Sequence, residues 1–336
     1  MLFRAFLLSA TLSLGTVAQA LPPDRPSAPP NPTANRYMAV PGFLKLPAGR
    51  VMGSSSTVAG DSKGHIWVVD RCAANDCAGS KLDPVMEFDA HGTFLRAWGV
   101  GKFLFPHGFF IDTRDHLWIT DGHADKIKGW SVQEFAPDGK LLRVLGKPGQ
   151  FHEPNAVLVT DKAIFVAQNH TRDFKGMPRI FKFGINGKLI TEWGGAGHGP
   201  GQFGMPHCLA LDSAGRLYVG DRDNNRIEIF TQNGKYLGQM HQFGRPSGCL
   251  IDANDILYVT DSESKKAEGY GHNPGWKRGI RIGSVKDGVV TDFIPDTYAD
   301  VEGSPTSGGE GLWADGKGAV YSAQVQQKAV VKYVRR

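Results

Sequence analysis

The sequence predicts an all-β, six-bladed β-propeller. A strand-and-turn pattern recurs six times at a period of about 40–50 residues, which is the signature of radially repeated sheets. Glycine and proline fall at the turns between short strands rich in β-branched and aromatic residues. The 43 glycines and 20 prolines of the 336-residue chain are therefore turn chemistry, not disorder.

Each repeat opens at a Pro-containing start with a short apolar strand and an Asp or Gly turn. A second strand of β-branched and aromatic residues follows, then a third that ends near Gly. The clearest copy runs Pro106-His107-Gly108-Phe109-Phe110-Ile111-Asp112, then Leu117-Trp118-Ile119-Thr120-Asp121, Glu134-Phe135 and Gly139-Lys140-Leu141-Leu142. The second strands are expected at 66–70, 117–121, 164–168, 217–221, 257–261 and 319–324. A four-stranded sheet cannot bury both faces alone, so the units must pack around an axis. The last unit, 309–333, runs out after its third strand, while 37–47 reads as a spare fourth strand. The N-terminal strand is expected to complete the last blade, closing the ring and removing an exposed edge.

Residues 1–20 carry Arg4, an apolar stretch over 5–17 and the small-residue end Ala18-Gln19-Ala20. That is the pattern of a secretory signal peptide. It places the protein in the periplasm or outside the cell, starting near Leu21 and with no membrane anchor after cleavage. Residues 21–36, rich in Pro, Ser and Asn, read as a linker that cannot bury enough apolar surface to fold, and 37–336 as the propeller. The formal net charge is +5, from 38 Lys and Arg against 33 Asp and Glu, and the basic residues are scattered. This argues against a nucleic-acid partner, and the chain is expected to act as a monomer. Of the four cysteines, Cys72 and Cys77 flank a short loop and are expected to form a disulfide. Cys208 and Cys249 lie in strand patterns and stay unassigned between a bridge and buried thiols. Insertions interrupt the repeat at 71–83 and 263–278, the second long enough to fold over one face, where loops on a rigid scaffold carry specificity.

Aligning the six innermost strands puts Ser56, His107, Asn155, His207, Ser247 and Glu310 in one column. Equivalent positions on strands around an axis point the same way, here toward the channel. The ligand types His107, His207 and Glu310 fall on alternate blades, an approximately three-fold set suited to a divalent transition metal with open positions. The plainer alternative is a polar, water-filled channel. Antiparallel pairing brings the ends of the second strands to the same mouth: Arg71, Gly122-His123, Asn169-His170, Arg222 and Ser262. Arg71 and Arg222 are placed to bind a carboxylate or a developing oxyanion, unless they pair with Asp70, Asp221 or Asp223. His170 is read as the proton-moving group, and Asn155 and His123 as substrate contacts, with His123 also able to serve as acid or base. Trp67, Trp118 and Trp193 sit in strand patterns and are expected to pack between blades.

Over 54–333 the chain resembles NHL-repeat propellers, and among them the peptidyl-α-hydroxyglycine α-amidating lyase family. The resemblance rests on Leu104-Phe105-Pro106-His107-Gly108, on Pro200-Gly201-Gln202-Phe203 with Met205-Pro206-His207, and on Val219-Gly220-Asp221-Arg222-Asp223-Asn224-Asn225-Arg226-Ile227. It implies a zinc lyase that splits a C-terminal α-hydroxyglycine carbinolamide into a peptide amide and glyoxylate. Two of the family's three zinc histidines match His107 and His207, and the third falls at Glu310. The two substrate-binding arginines match Arg71 and Arg222. The catalytic tyrosine falls near His170, and the calcium-binding aspartate at Gly311, which has no carboxylate. Exchanging an imidazole for a carboxylate makes a metal-bound water less acidic. A related lyase or hydrolase on a small carbonyl, hydroxy acid or peptide-derived substrate is therefore expected, with zinc first among cofactors and iron or manganese as alternatives. A non-catalytic propeller that binds a protein or glycan, and a lactonase-like hydrolase, are the other readings, since fold alone does not choose.

Overall fold

The computed structural model describes residues 20–25, 29, 31, 34–147, 149–170 and 177–336. The predicted leader therefore lies outside the described residues, except for Ala20. Among the described residues, twenty-four strands form six four-stranded antiparallel sheets. Five sheets are continuous in sequence. The sixth has the order in which Tyr37–Val40 flanks Ala329–Arg335, with Tyr37 opposite Arg335, so the N-terminal strand closes the ring as expected.

The innermost strands are Ser55–Gly60, Pro106–Ile111, Pro154–Val159, Pro206–Leu211, Cys249–Ile251 and Gly309–Ala314. The second strands lie at Ile66–Asp70, Leu117–Ala124, Ala163–Gln168, Leu217–Asp221, Ile256–Asp261 and Ala319–Gln324, matching the sequence expectation closely. Most of their residues are buried, because each second strand is covered on both sides by neighbouring blades. Outer strands such as Phe94–Trp98 and Leu189–Gly194 are only partly buried and face solvent.

The hydrophobic core is distributed between blades rather than gathered in one centre. Trp67 packs with Leu117 and Ile119 across the first blade junction, Trp118 with Val157, Val159 and Ile164 across the second, and Trp193 against the cluster joining blades three and four. All three indoles are thus packing residues.

Both disulfides are present among the described residues. Cys72–Cys77 closes the first insertion, and Cys208–Cys249 joins the innermost strands of blades four and five across a sequence separation of 41. Disulfides of this kind fit an oxidising compartment. Among the described residues, no helix is long and apolar enough to cross a membrane.

The segment read as a free linker makes specific contacts on blades four and five. Asp24 pairs with His241, Arg25 donates to the Asp287 carbonyl, Arg36 pairs with Asp292, and the Ala34 carbonyl accepts from Phe293 N. Specific polar contacts, together with the buried Pro22, hold it, and composition alone does not reveal the attachment.

Candidate metal centre

A β-bulge interrupts the pairing of the innermost strand in five blades: between Ser55 and Thr57, Pro106 and Phe109, Pro154 and Ala156, Pro206 and Cys208, and Gly309 and Gly311. Ser56, His107, Asn155, His207 and Glu310 are residues these bulges leave unpaired. A bulge re-aims its side chain, so the column points at the axis for a more specific reason than strand alternation. All six column residues line the central cavity. The blades approach closely here: a Cβ on Gly311 would lie 2.2 Å from the Ser56 carbonyl, and one on Gly108 2.6 Å from that of Asn155. No side chain fits at Gly311 as the blades now pack.

Three of the ring residues are tied to the next blade. Ser56 Oγ donates to the His107 carbonyl at 2.9 Å, His107 Nδ1 to the Asn155 carbonyl at 2.8 Å, and His207 Nδ1 to the Ser247 carbonyl at 2.6 Å. A carbonyl only accepts, so both imidazoles carry their proton on Nδ1 and turn an Nε2 lone pair to the axis. Both Nε2 atoms are buried without a hydrogen-bond partner. An orphaned acceptor at such a place is costly unless something binds it, and a metal ion fits that requirement.

His170 joins them. Asn169, with φ of 85°, turns the chain after the second strand of blade three, and His170 N is held by Glu153. The His170 ring lies 4.4 Å from His107 and 5.4 Å from His207, and the two ring histidines are 4.9 Å apart, centre to centre. One ligand atom from each of His107, His170, His207 and Glu310 fits within 4.8 Å of the others. The residue read from sequence as a separate proton carrier therefore sits in the ligand cluster itself. Burial holds the His107 pKa down to about 3, with the charge of Arg71 adding to it, and burial also keeps His170 and His207 well below the usual imidazole range. Neutral imidazole is the form a metal takes.

Glu310 differs from the histidines in already having partners. Oε1 accepts from Arg222 Nη1 at 3.2 Å and Oε2 from Ser262 Oγ at 2.9 Å, while Oε1 lies 3.4 Å from His207 Nε2 and 3.9 Å from His107 Nε2. Burial works to raise its pKa, but Arg222, His107 and Arg71 outweigh it and keep the carboxylate ionised.

The two arginines separate. Arg222 pairs with Glu310 and, at 3.1 Å, with Glu263 Oε1, neither of them the aspartates weighed from sequence. Glu263 in turn accepts from Arg245 Nε and from the Tyr270 hydroxyl. The result is a buried line of alternating charge, Arg245–Glu263–Arg222–Glu310. Arg222 is thus neutralised inside the protein, which argues against the anion-binding role read for it. Arg71 stacks 3.8 Å over Phe105, which also stacks with the exposed His123 ring at 4.0 Å, and donates to the Pro106 carbonyl and Asn75. No carboxylate pairs with Arg71 among the described residues, and burial depresses its pKa to about 10. Asn155, 1% exposed, has both amide atoms unpartnered.

Glu263, Arg245 and Tyr270 were not singled out by sequence. The signal for Glu263 and Tyr270 lay in the 263–278 insertion, which reaches the site through the Glu263–Arg222 pair and is held by Arg278 donating to the Ser264 and Ser304 carbonyls, while Arg245 lies outside it. Two further clusters, Asp61/His65/Glu87 and Asp112/His116/Glu134, could also hold a metal by composition. They occupy equivalent turns of blades one and two, and blade four uses Arg216 with Asp212 at the same place. An arginine can replace the histidine there, so these are turn-bracing ion pairs.

The fold and repeat define the class: a six-bladed β-propeller carrying an NHL repeat, whose family model matches residues 203–230. Similar curated proteins are more particular. NHL repeat-containing protein 3 of Homo sapiens is 32% identical over 201 residues, 55% of this chain and 54% of that protein. The peptidyl-glycine alpha-amidating monooxygenase of Mus musculus is 31% identical over 226 residues, 58% of this chain and 22% of that protein. The peptidyl-alpha-hydroxyglycine alpha-amidating lyase 1 of Drosophila melanogaster is 32% identical over 172 residues, 45% and 30% respectively. The matched part spans about half the length of the first of these and less of the others. Solved structures share the fold: a gluconolactonase of Xanthomonas campestris (TM-score 0.59, 14% identity, 94% of this chain and 99% of that chain) and virginiamycin B lyase of Staphylococcus aureus (TM-score 0.54, 17% identity, 87% and 83%).

Proposed function

We propose that this protein is an exported, metal-dependent propeller enzyme, a lyase or hydrolase acting on a small carbonyl, hydroxy acid or peptide-derived substrate that bears a carboxylate. The observation that carries it is the pair of orphaned Nε2 atoms of His107 and His207 within a four-donor cluster. Three imidazoles, His107, His170 and His207, would hold the ion, with zinc suited to that donor set. When bound, it polarises a substrate oxygen or acidifies a water.

The protein's own groups divide the remaining work. Glu310 is ionised, faces the same point and is held by Arg222 and Ser262. It takes the proton from the carbinol hydroxyl, or from the water that attacks a lactone, and returns it to the leaving nitrogen or oxygen. Arg71, backed by Phe105, binds the substrate carboxylate. Asn155 donates and accepts at a substrate amide or hydroxyl, and His123 covers the outer face of Phe105 at the mouth. The leader over 1–20 and the two disulfides support export.

The test is turnover by metal-replete protein of two substrate types, with glyoxylate release from a peptidyl-α-hydroxyglycine against acid release from a lactone. Turnover of either, with the KM raised at least tenfold in Arg71→Ala, is expected. No turnover of either, and no binding of small carboxylates at Arg71, would leave a binding propeller as the function.

A further inference from the structure

The ring residues also form the floor of a second space. Below them, the six innermost strands enclose a cavity of about 480 Å³. Its two ends differ. The column residues at the inner end are 1–6% exposed, whereas the residues at the other end of the same strands, among them Ile111, Thr160, Leu211, Ile251 and Trp313, are only half-buried. His107, His207 and Glu310 meet across the axis at 3.4–4.9 Å and leave no passage. The cavity is therefore a well that opens on the face opposite the candidate metal centre.

The walls and shape of the well restrict what enters. Apart from Thr57 and Thr160, the lining beyond the column residues is apolar or glycine, and no ionised side chain lies above the floor. His107 and Ile111 are four residues apart on one extended strand, which makes the well roughly 13 Å deep at the usual strand rise. Its volume spread over that depth leaves a section wide enough for one extended chain. The Trp313 indole narrows the mouth, lying where a Cβ on Gly60 would be 2.0 Å away. Water against the apolar upper walls is poorly held, and its displacement there by an apolar group is favourable.

We infer that this well binds a single linear alkyl or acyl chain, entering tail first from the face opposite the metal centre. The well lies behind the closed ring, so this site stands independently of the reading of the metal centre.

The test is displacement of cis-parinaric acid, a fluorescent fatty acid, by unbranched fatty acids of increasing length below their aggregation concentrations. One probe per chain is expected to bind. Competitor affinity should rise by up to about fourfold per added CH2, then level off once the tail reaches the ring. Leu211→Arg and Ile251→Arg, which place a charge in the mouth, should each weaken probe binding at least tenfold, while stripping metal with a chelator should leave it unchanged. Absence of saturable uptake, affinity that rises with length without a plateau, or full uptake in both arginine variants would overturn the inference. The length series on the unmodified protein decides the matter even where a variant fails to fold.

Discussion

Arg222 Nη1 lies 3.2 Å from Glu310 Oε1 and 3.1 Å from Glu263 Oε1, so one buried guanidinium joins the carboxylate of the channel ring to the insertion that covers it. Removing it leaves two carboxylates buried without their shared cation. Arg222→Ala should cost about 3–5 kcal/mol of stability, read as a lower urea midpoint.

Arg71 should behave in the opposite way. It stacks on Phe105 and donates to Pro106 and Asn75. Contacts of these kinds contribute only about 1–2 kcal/mol to a fold. Arg71→Ala should therefore retain most of the stability and lose substrate carboxylate affinity by about 10–100-fold, the worth of a charge-assisted hydrogen bond. Steady-state kinetics would place this loss in KM, and equal losses in both arginine variants would contradict the division between them.

In the proposed function Glu310 and His170 take the reverse of the roles that the sequence suggests. Glu310→Gln keeps hydrogen-bonding atoms for Arg222 and Ser262, and should retain metal while lowering kcat by about 100-fold or more, the scale of lost proton transfer. His170→Ala should lose metal. Metal content and kcat measured on both variants check this, and metal loss in Glu310→Gln alone would restore Glu310 to the ligand set.

Acid should destabilise the metal-free protein early. His107 is depressed to about 3, and His170 and His207 lie well below the usual range. Below pH about 6.5 the unfolded chain therefore binds protons that the fold refuses. These contributions are present above the unfolded imidazole pKa and are lost as pH falls from there toward the depressed folded values. Glu310, also depressed, acts with the same sign below the ordinary carboxylate range. Each such histidine steepens the decline by at most about 1.4 kcal/mol per pH unit, measurable as urea midpoints at successive pH values. Bound metal should flatten the curve until its ligands protonate.

The two disulfides should differ in worth. Cys208–Cys249 ties two blades at the axis across a sequence separation of 41. Removing it with Cys208→Ser and Cys249→Ser should cost about 4 kcal/mol by loop-closure entropy. Cys72–Cys77 closes a much shorter loop, with a sequence separation of 5. The same entropy makes that bridge worth about 2 kcal/mol. Thermal unfolding of the paired variants tests the order.

Much of this was legible in advance because a propeller repeats its strand pattern, and a repeat lets one position be compared with five others. That is how His107, His207 and Glu310 could be placed on one axis, and why the closing strand Tyr37–Val40 was visible. Strand pairing places His170 at the channel mouth, but its entry into the ligand cluster depends on the turn at Asn169, which periodicity does not describe. Cys208 and Cys249 carried a faint signal, one and two residues beyond the ring column in neighbouring blades. The Glu263–Arg222 pairing depends on how the blade-five insertion meets the neighbouring blade four, which no repeat encodes.

The central claim is that His107, His170 and His207 hold a metal ion. Metal content by mass spectrometry of untagged protein, beside a His107→Ala, His207→Ala double variant, tests it most directly. About one zinc, iron or manganese per chain, lost in the double variant, is the expected result. No metal in the unmodified protein after repletion, or equal metal in both proteins, would contradict it.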